Sequence, residues 1–201
     1  NPGALILFKK PDSFISHLVI DIAMNESSKL VWYIDTLLKD TDTSISDIRN
    51  IVVVNGPGSF TWVRTTVLIA NTFAFRSHIH LTPLSYFDLF NSYPIIKKSS
   101  KRDVFVKKNK WSDIEILSNN DCVQFIYENQ ISKIYGDFDI FSNMPIIKEI
   151  WEKYSTLTET LHFQDIVESH SKVDYRNIIF WINFQQQKQI EPLYIKKPNI
   201  S

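Results

Sequence analysis

Glycine is nearly missing from this chain. There are four in 201 residues, and two of them, Gly56 and Gly58, fall inside one heptapeptide, Asn55-Gly-Pro-Gly-Ser-Phe-Thr61. A chain that uses glycine so sparingly keeps it where no side chain fits. Cysteine is scarcer still: the single Cys122 excludes an internal disulfide and any multi-cysteine zinc site. That usage fits a reducing compartment, so a cytoplasmic location is expected. Net charge is absent too, with Lys+Arg and Asp+Glu both at 22. RNA, as a partner, would have to be met by a local patch or through another subunit. No apolar run approaches the roughly 20 residues that span a bilayer, so no membrane partner is expected. What remains is an ordinary globular composition, 44% hydrophobic and 22% charged, long enough for one large domain or two lobes.

Ala4–Phe8 and His17–Ala23 read as two strands joined by the polar turn Lys9-Lys-Pro-Asp-Ser13, a β-hairpin. Asn25-Glu-Ser-Ser28 offers helix caps for Lys29–Lys39, where Leu30, Val31, Ile34, Leu37 and Leu38 share an apolar face with Tyr33. Trp32 falls opposite, which predicts that it is displayed. After a short capped turn at Ser46, the β-branched run Ile51–Val54 predicts a strand buried on both faces. From Ser59 to about Arg76 a helix is expected, with Phe60, Trp62, Val63, Val67, Ile69, Ala70, Phe73 and Ala74 over half its circumference and Leu68 and Phe75 adding to them. That stripe is wider than one sheet face can cover, so a second helix or a partner subunit must lie on it.

His78–Leu84 reads as a strand and Ser85–Phe90 as a short capped helix. The basic segment Lys97–Arg102 reads as a lobe boundary. Beyond it, Asp103–Val106, Asp113–Leu117, Cys122–Ile126 and Lys133–Tyr135 are expected strands, and Ile146–Tyr154 and Tyr175–Gln187 expected helices.

Strand, glycine loop and helix together can present backbone N–H groups to an anion, which makes Gly56, Pro57, Gly58, Ser59, Phe60, Thr61 and Arg64 a candidate anion-binding loop. It is not a P-loop, since no Lys-Ser/Thr pair follows Gly58, nor a dinucleotide fingerprint, since the third glycine is missing. His78 and His80 are two apart but lack a fixed third ligand, and no His-Glu-x-x-His occurs, so no metal site is expected. Ser59 has no paired base in its neighbourhood and Cys122 reads as a buried, inert thiol. No catalytic residue is expected. The basic segment reads as a solvated linker rather than an RNA contact, and the aromatic content as core and subunit interface rather than base stacking.

The string Gly56-Pro-Gly-Ser-Phe-Thr-Trp-Val-Arg64 resembles the Gly-Pro-Gly-Ser-Phe-Thr-Gly-x-Arg motif of the TsaB (YeaZ) family, whose members partner TsaD in forming threonylcarbamoyladenosine on tRNA. The order of helix, link, strand and loop agrees with that family from Lys29 onward. Glu191-Pro-Leu-Tyr-Ile195 is similar to the Pro-x-Tyr-Leu-Arg ending of many members. Trp62 stands where the family usually has glycine, and Thr65, Thr66 and Asn71 where small residues are common. The family's second-lobe motif is reduced to Arg102-Asp-Val-Phe105, and the positions of the catalytic partner's metal-binding histidines correspond to Tyr86 and Phe90.

The resemblance implies an α/β, two-lobed, actin-like ATPase fold built on ribonuclease H-like sheets, with a first lobe expected to lack its opening strand. Residues 1–96 would form that lobe, 97–173 the smaller second lobe, and 174–201 a helix and tail returning to the first. It implies a non-catalytic subunit without cofactors, paired with a TsaD-like catalytic subunit and a TsaE-like ATPase, meeting tRNA only indirectly. Pairing through the Lys29 and Ser59 helices makes Trp32, Trp62, Ile69 and Phe73 the interface candidates. Isolated chains would form a homodimer through the same surface. The alternatives are a phosphate-binding kinase-like enzyme of the same superfamily, which ATP hydrolysis would reveal, and an interaction scaffold outside tRNA modification.

Overall fold

A computed structural model of the chain describes residues 3–10, 13–20, 29–131, 133–136 and 183–195. It divides into two compact units, Asn1–Leu89 with Asp174–Ser201, and Phe90–Val173.

In the first unit the expected hairpin is present: β1 (Gly3–Lys10) pairs antiparallel with β2 (Ser13–Ile20), from Gly3 opposite Ile20 to Lys10 opposite Ser13. Helix α1 (Lys29–Asp40) buries Leu30 and Leu37 and leaves Trp32 60% exposed. Val31, expected on the apolar face, is exposed because it stands a helical step of about 100° round from Leu30, at the edge of the stripe. Ser44 caps the single 3₁₀ turn Ile45–Asp47, its N–H donating in return to Asp47 Oδ2 at 3.0 Å. Strand β3 (Asn50–Gly56) pairs in parallel with β4 (His80–Ser85), connected by the 18-residue helix α2 (Phe60–Ser77).

The apolar run of β3 behaves differently from expectation. Val53 is buried among Val63, Val67, Ala70 and Ala74 of α2 and Leu81 of β4, while Val52 and Val54 stay exposed on the other sheet face. One packed face is enough to hold a strand whose β-branched side chains favour extended backbone in any case. His78 is not strand either. It ends α2 in the left-handed conformation with φ 56°, and β4 begins two residues later.

The chain returns to this sheet near its end. Asn183–Gln187 was expected to close a helix, but Gln187 bridges Leu81 antiparallel, with reciprocal N–H to carbonyl bonds of 3.1 and 2.8 Å. Residues 175–182 and 146–154, the other parts expected to be helical, lie outside the described residues. Thr82, fully buried, accepts from the Gln185 N–H at 2.9 Å, and Asn50 Nδ2 donates to the Gln185 carbonyl at 2.8 Å. Further along, Asn71 on α2 grips the backbone of Ile190 at both ends: its Nδ2 donates to the Ile190 carbonyl and the Ile190 N–H donates to its Oδ1, each at 3.0 Å. Ile190 itself is buried in the α2 cluster. A strap therefore runs from 185 across β4, over α2 and on to the glycine loop.

In the second unit four strands form one sheet, with the strand nearest the C-terminus at one edge and Ile114–Ser118 at the other. Strands β5 (Ile95–Lys98), β6 (Asp103–Lys107) and β7 (Ile114–Ser118) are antiparallel, and the two-residue β8 (Tyr135–Gly136) joins β5 in parallel. The basic segment Lys97–Arg102 is the end of β5 and the turn into β6, where Ser100 Oγ accepts from the Arg102 and Asp103 N–H groups, each at 3.1 Å. Cys122–Ile126, expected as a strand, lies within helix α3 (Asn119–Glu128), which buries Cys122, Val123 and Ile126. The signal was Ser118-Asn-Asn-Asp121, a capping pattern: Ser118 Oγ accepts from the Asp121 N–H at 3.1 Å.

Replacing Asn71 by alanine should remove both bonds to Ile190 and cost about 2 kcal/mol. Urea unfolding would show the loss, and the Ile190 and Leu193 amides should exchange with deuterium sooner than those of β3. Burial, helped by the charge of Asp121, pushes the Cys122 thiol up to about 12 from 9.0. Native protein should therefore resist maleimide at pH 8 and react once unfolded. Because the folded pKa is the higher, the contribution is complete below pH 9.0 and should fall away as the pH rises towards about 12.

Candidate functional site

The glycine loop follows β3 at the point where the strap arrives. Gly56 has φ 137°, and a Cβ there would collide with the carbonyl oxygen of Leu193. Both conditions demand glycine. The loop is held on this side by the tail: the Leu193 N–H donates to the Asn55 carbonyl at 2.7 Å, and Asn55 Nδ2 donates to the Glu191 carbonyl at 2.8 Å. The Gly56–Pro57 peptide is cis. Gly58 is exposed, with room for a Cβ only 3.2 Å from Val63 Cγ2. Ser59 precedes α2, and its carbonyl accepts from the Val63 N–H at 2.9 Å.

Phe60 stacks on Tyr194 of the strap, ring centroids 5.2 Å apart, and the Arg64 guanidinium lies 5.1 Å from the Phe60 ring. Thr61 is exposed beside them. The loop thus brings Gly56, Phe60 and Arg64 together with the chain's own Leu193 and Tyr194. The side of Gly56 on which a Cβ would project is filled by the Leu193 carbonyl.

Helix α2 presents three faces. Val63, Val67, Ala70 and Ala74 face β3 and β4. Trp62 and Ile69, half-buried, pack with Tyr33 and Ile34 around Leu30, so a second helix of the same chain covers part of the excess apolar surface. The third face, Thr61, Arg64, Leu68, Thr72 and Phe75, is exposed, with Leu68 at 67% and Phe75 at 86%. Trp32 lies on α1, 4.9 Å from the Tyr33 ring in an edge-to-face arrangement, and Phe73 is half-buried. Of the four interface candidates, then, Trp32 stands in solvent and Trp62 and Ile69 also serve the helix pair. Leu68 and Phe75 were noted in sequence only as additions to the stripe. Their spacing of seven, two turns, was the available signal.

Among the described residues no three or more His, Cys, Asp or Glu side chains gather in a way that could hold a metal ion. His80 is exposed at the start of β4, and His78 is spent on the helix end. Tyr86 begins a single 3₁₀ turn, Tyr86–Leu89, and Phe90 follows it buried. Cys122 keeps its proton under the conditions in which thiolates attack. No described helix is long and apolar enough to cross a membrane.

The family model for TsaD, tRNA N6-adenosine threonylcarbamoyltransferase, matches residues 21–93. Over 80 residues the chain is 32% identical to the tRNA threonylcarbamoyladenosine biosynthesis protein TsaB of Bacillus subtilis, a match covering 40% of this chain and 35% of that protein. It is also 22% identical over 200 residues to the uncharacterized protein MG208 of Mycoplasma genitalium, covering 96% of this chain and 89% of that one. Among solved structures, a protein with similarity to peptidase YeaZ from Pseudomonas aeruginosa superposes with a TM-score of 0.51 at 14% identity, covering 65% of this chain and 69% of its own. The matched part of the fold is actin-like and ribonuclease H-like. Glycine loop, family model, TsaB relative and fold are together consistent with a TsaB-family protein.

Proposed function

We propose that this chain is a non-catalytic TsaB-like subunit that binds a TsaD-like catalytic subunit and supports formation of threonylcarbamoyladenosine on tRNA. The observation that carries the reading is the α1–α2 pair. Its two helices are mutually packed through Leu30, Trp62 and Ile69, yet Trp32, Leu68 and Phe75 remain in water. A helix pair with large apolar groups on its outer side is suited to a second pair of like chemistry, since burying each such group contributes about 1.5–3 kcal/mol. In this reading Trp32, Phe73 and the outer edges of Trp62 and Ile69 meet the partner beside Leu68 and Phe75. A TsaE-like ATPase joins the same assembly, and tRNA is engaged chiefly by the catalytic subunit. An isolated chain forms a homodimer through the same face. The strap seated on Gly56 supports this reading over a phosphate-binding kinase, because the loop already has an occupant.

The test is co-elution with the TsaD-like protein of the same organism on size exclusion. Leu68→Asp combined with Phe75→Asp should abolish the complex, each change weakening it about 30-fold or more, while circular dichroism and the unfolding midpoint hold. Trp62→Asp, by contrast, should also lower stability, because Trp62 packs on Leu30. Unchanged co-elution of the Leu68, Phe75 double variant would sink the proposal.

A further inference from the structure

One end of the second unit's sheet gathers lysines and aromatic rings that the proposed pairing does not use. Lys107 closes β6 opposite Ile114 of β7 and Ile95 of β5, and Ile95 is in turn opposite Tyr135 of β8. These four residues form one row, about 14 Å wide at the usual strand spacing. The β6–β7 turn carries Lys108, Lys110 and Trp111, and Lys133 lies two residues before β8. Three of the lysines have an ammonium beside a ring: Lys110 5.2 Å from Trp111, Lys108 5.1 Å from Phe125 and Lys133 5.4 Å from Tyr135.

The turn is built to hold Trp111 outward. Asn109 Oδ1 accepts from the Trp111 and Ser112 N–H groups, both at 2.9 Å, and Ser112 Oγ accepts from the Asn109 N–H at 3.1 Å. At its tip Trp111 is 87% exposed, without apolar neighbours on the turn. Of the nearby carboxylates, Glu115 is held by Lys108 at 2.8 Å and Glu128 by Gln124 at 2.6 Å, while Asp113, two residues beyond Trp111 on the same turn, is exposed. A protein hot spot is normally ringed by contacts that exclude water, and nothing on this turn supplies such a ring. A single flat ring with a cation alongside, and further lysines spread along a row about 14 Å wide, suits an unpaired nucleotide, whose base stacks while its phosphates meet the ammonium groups.

We propose that this end of the second unit binds single-stranded RNA directly, with an unpaired base stacked on Trp111 and the flanking phosphates met by Lys107, Lys110 and Lys133. The choice of RNA rests on the tRNA-modification reading; the stacking chemistry does not need the TsaD-like partner.

Fluorescence anisotropy on the isolated chain tests it, with a labelled 17-nucleotide RNA stem-loop carrying seven unpaired nucleotides and, as control, a blunt duplex of equal length. The chain should prefer the stem-loop. Trp111→Ala should weaken that binding about tenfold and Trp111→Phe by no more than about twofold. Lys107→Ala with Lys110→Ala should lower the slope of log affinity against log salt by about 1.4. Stem-loop affinity unchanged in Trp111→Ala, equal binding of duplex and stem-loop, or no binding of either would overturn the proposal. So would a Trp111→Ala variant that spares RNA but loses co-elution with the TsaD-like subunit, which would make Trp111 a protein anchor. Loss of co-elution in the Leu68, Phe75 variant leaves these readouts untouched, so the two proposals fail separately.

Discussion

An 18-residue helix with large apolar side chains on three sides is the constraint around which the first unit is arranged. One side is covered by β3 and β4, through Val63, Val67, Ala70 and Ala74, and the two alanines let the helix sit close to the sheet. The second is covered by α1, through Trp62 and Ile69 against Leu30. Nothing among the described residues covers Leu68 and Phe75. Leaving two such side chains in water forgoes several kcal/mol of burial, comparable with a large share of a domain's whole stability. The monomer's own fold gains nothing from them there, which is why the outward face is read as an assembly surface and not as a flaw of packing.

The strap and the glycine loop are two halves of one contact. A strand-to-helix loop needs glycine if a neighbouring backbone comes too close for a Cβ, and here that neighbour is Leu193. Asn55 then ties the loop to Glu191 and Leu193, Asn71 ties the helix to Ile190, and Thr82 with Asn50 ties the sheet to Gln185. Sheet, loop and helix are each bonded to the same stretch of tail, so the angle at which α2 leaves the sheet is fixed by residues more than a hundred positions away. The position of the outward face depends on that angle. Local glycine chemistry thereby reaches the surface proposed for the partner.

The parts of this arrangement that were legible in sequence are those set by local periodicity. The hairpin, α1, the strand before the glycine loop and α2 follow from apolar spacing and turn residues, and the rare glycines pointed to the loop. Long-range contacts were not legible. Gln185–Gln189 read as the polar end of a helix because nothing in the segment records that Leu81 and Thr82 have free edge groups waiting for it. Cys122–Ile126 read as a strand because a five-residue run with one polar position, Gln124, is too short for periodicity to separate strand from helix. Only the cap at Ser118, outside that window, decides between the two. At the candidate site the loop residues were found but their occupant was not, since the Phe60–Tyr194 stack joins positions that sequence proximity cannot relate.

Three of the departures from the usual TsaB motif that fall in α2, Trp62, Thr66 and Asn71, have a visible structural role. Trp62, in place of a glycine, fills the seam against Leu30 and Tyr33, so the helices are joined by a bulky side chain instead of by close backbone approach. Asn71, in place of a small residue, donates to and accepts from Ile190. Thr66 donates its hydroxyl to the Trp62 carbonyl at 2.9 Å, keeping a polar group satisfied on a half-buried side. A helix losing its purpose would accumulate unmatched substitutions, with polar groups left without bonds and bulky ones without contacts. Here Trp62 and Asn71 are met by neighbours and Thr66 by its own helix, while the outer face keeps large apolar groups that no neighbour among the described residues covers. That combination supports the pairing surface proposed for α1 and α2.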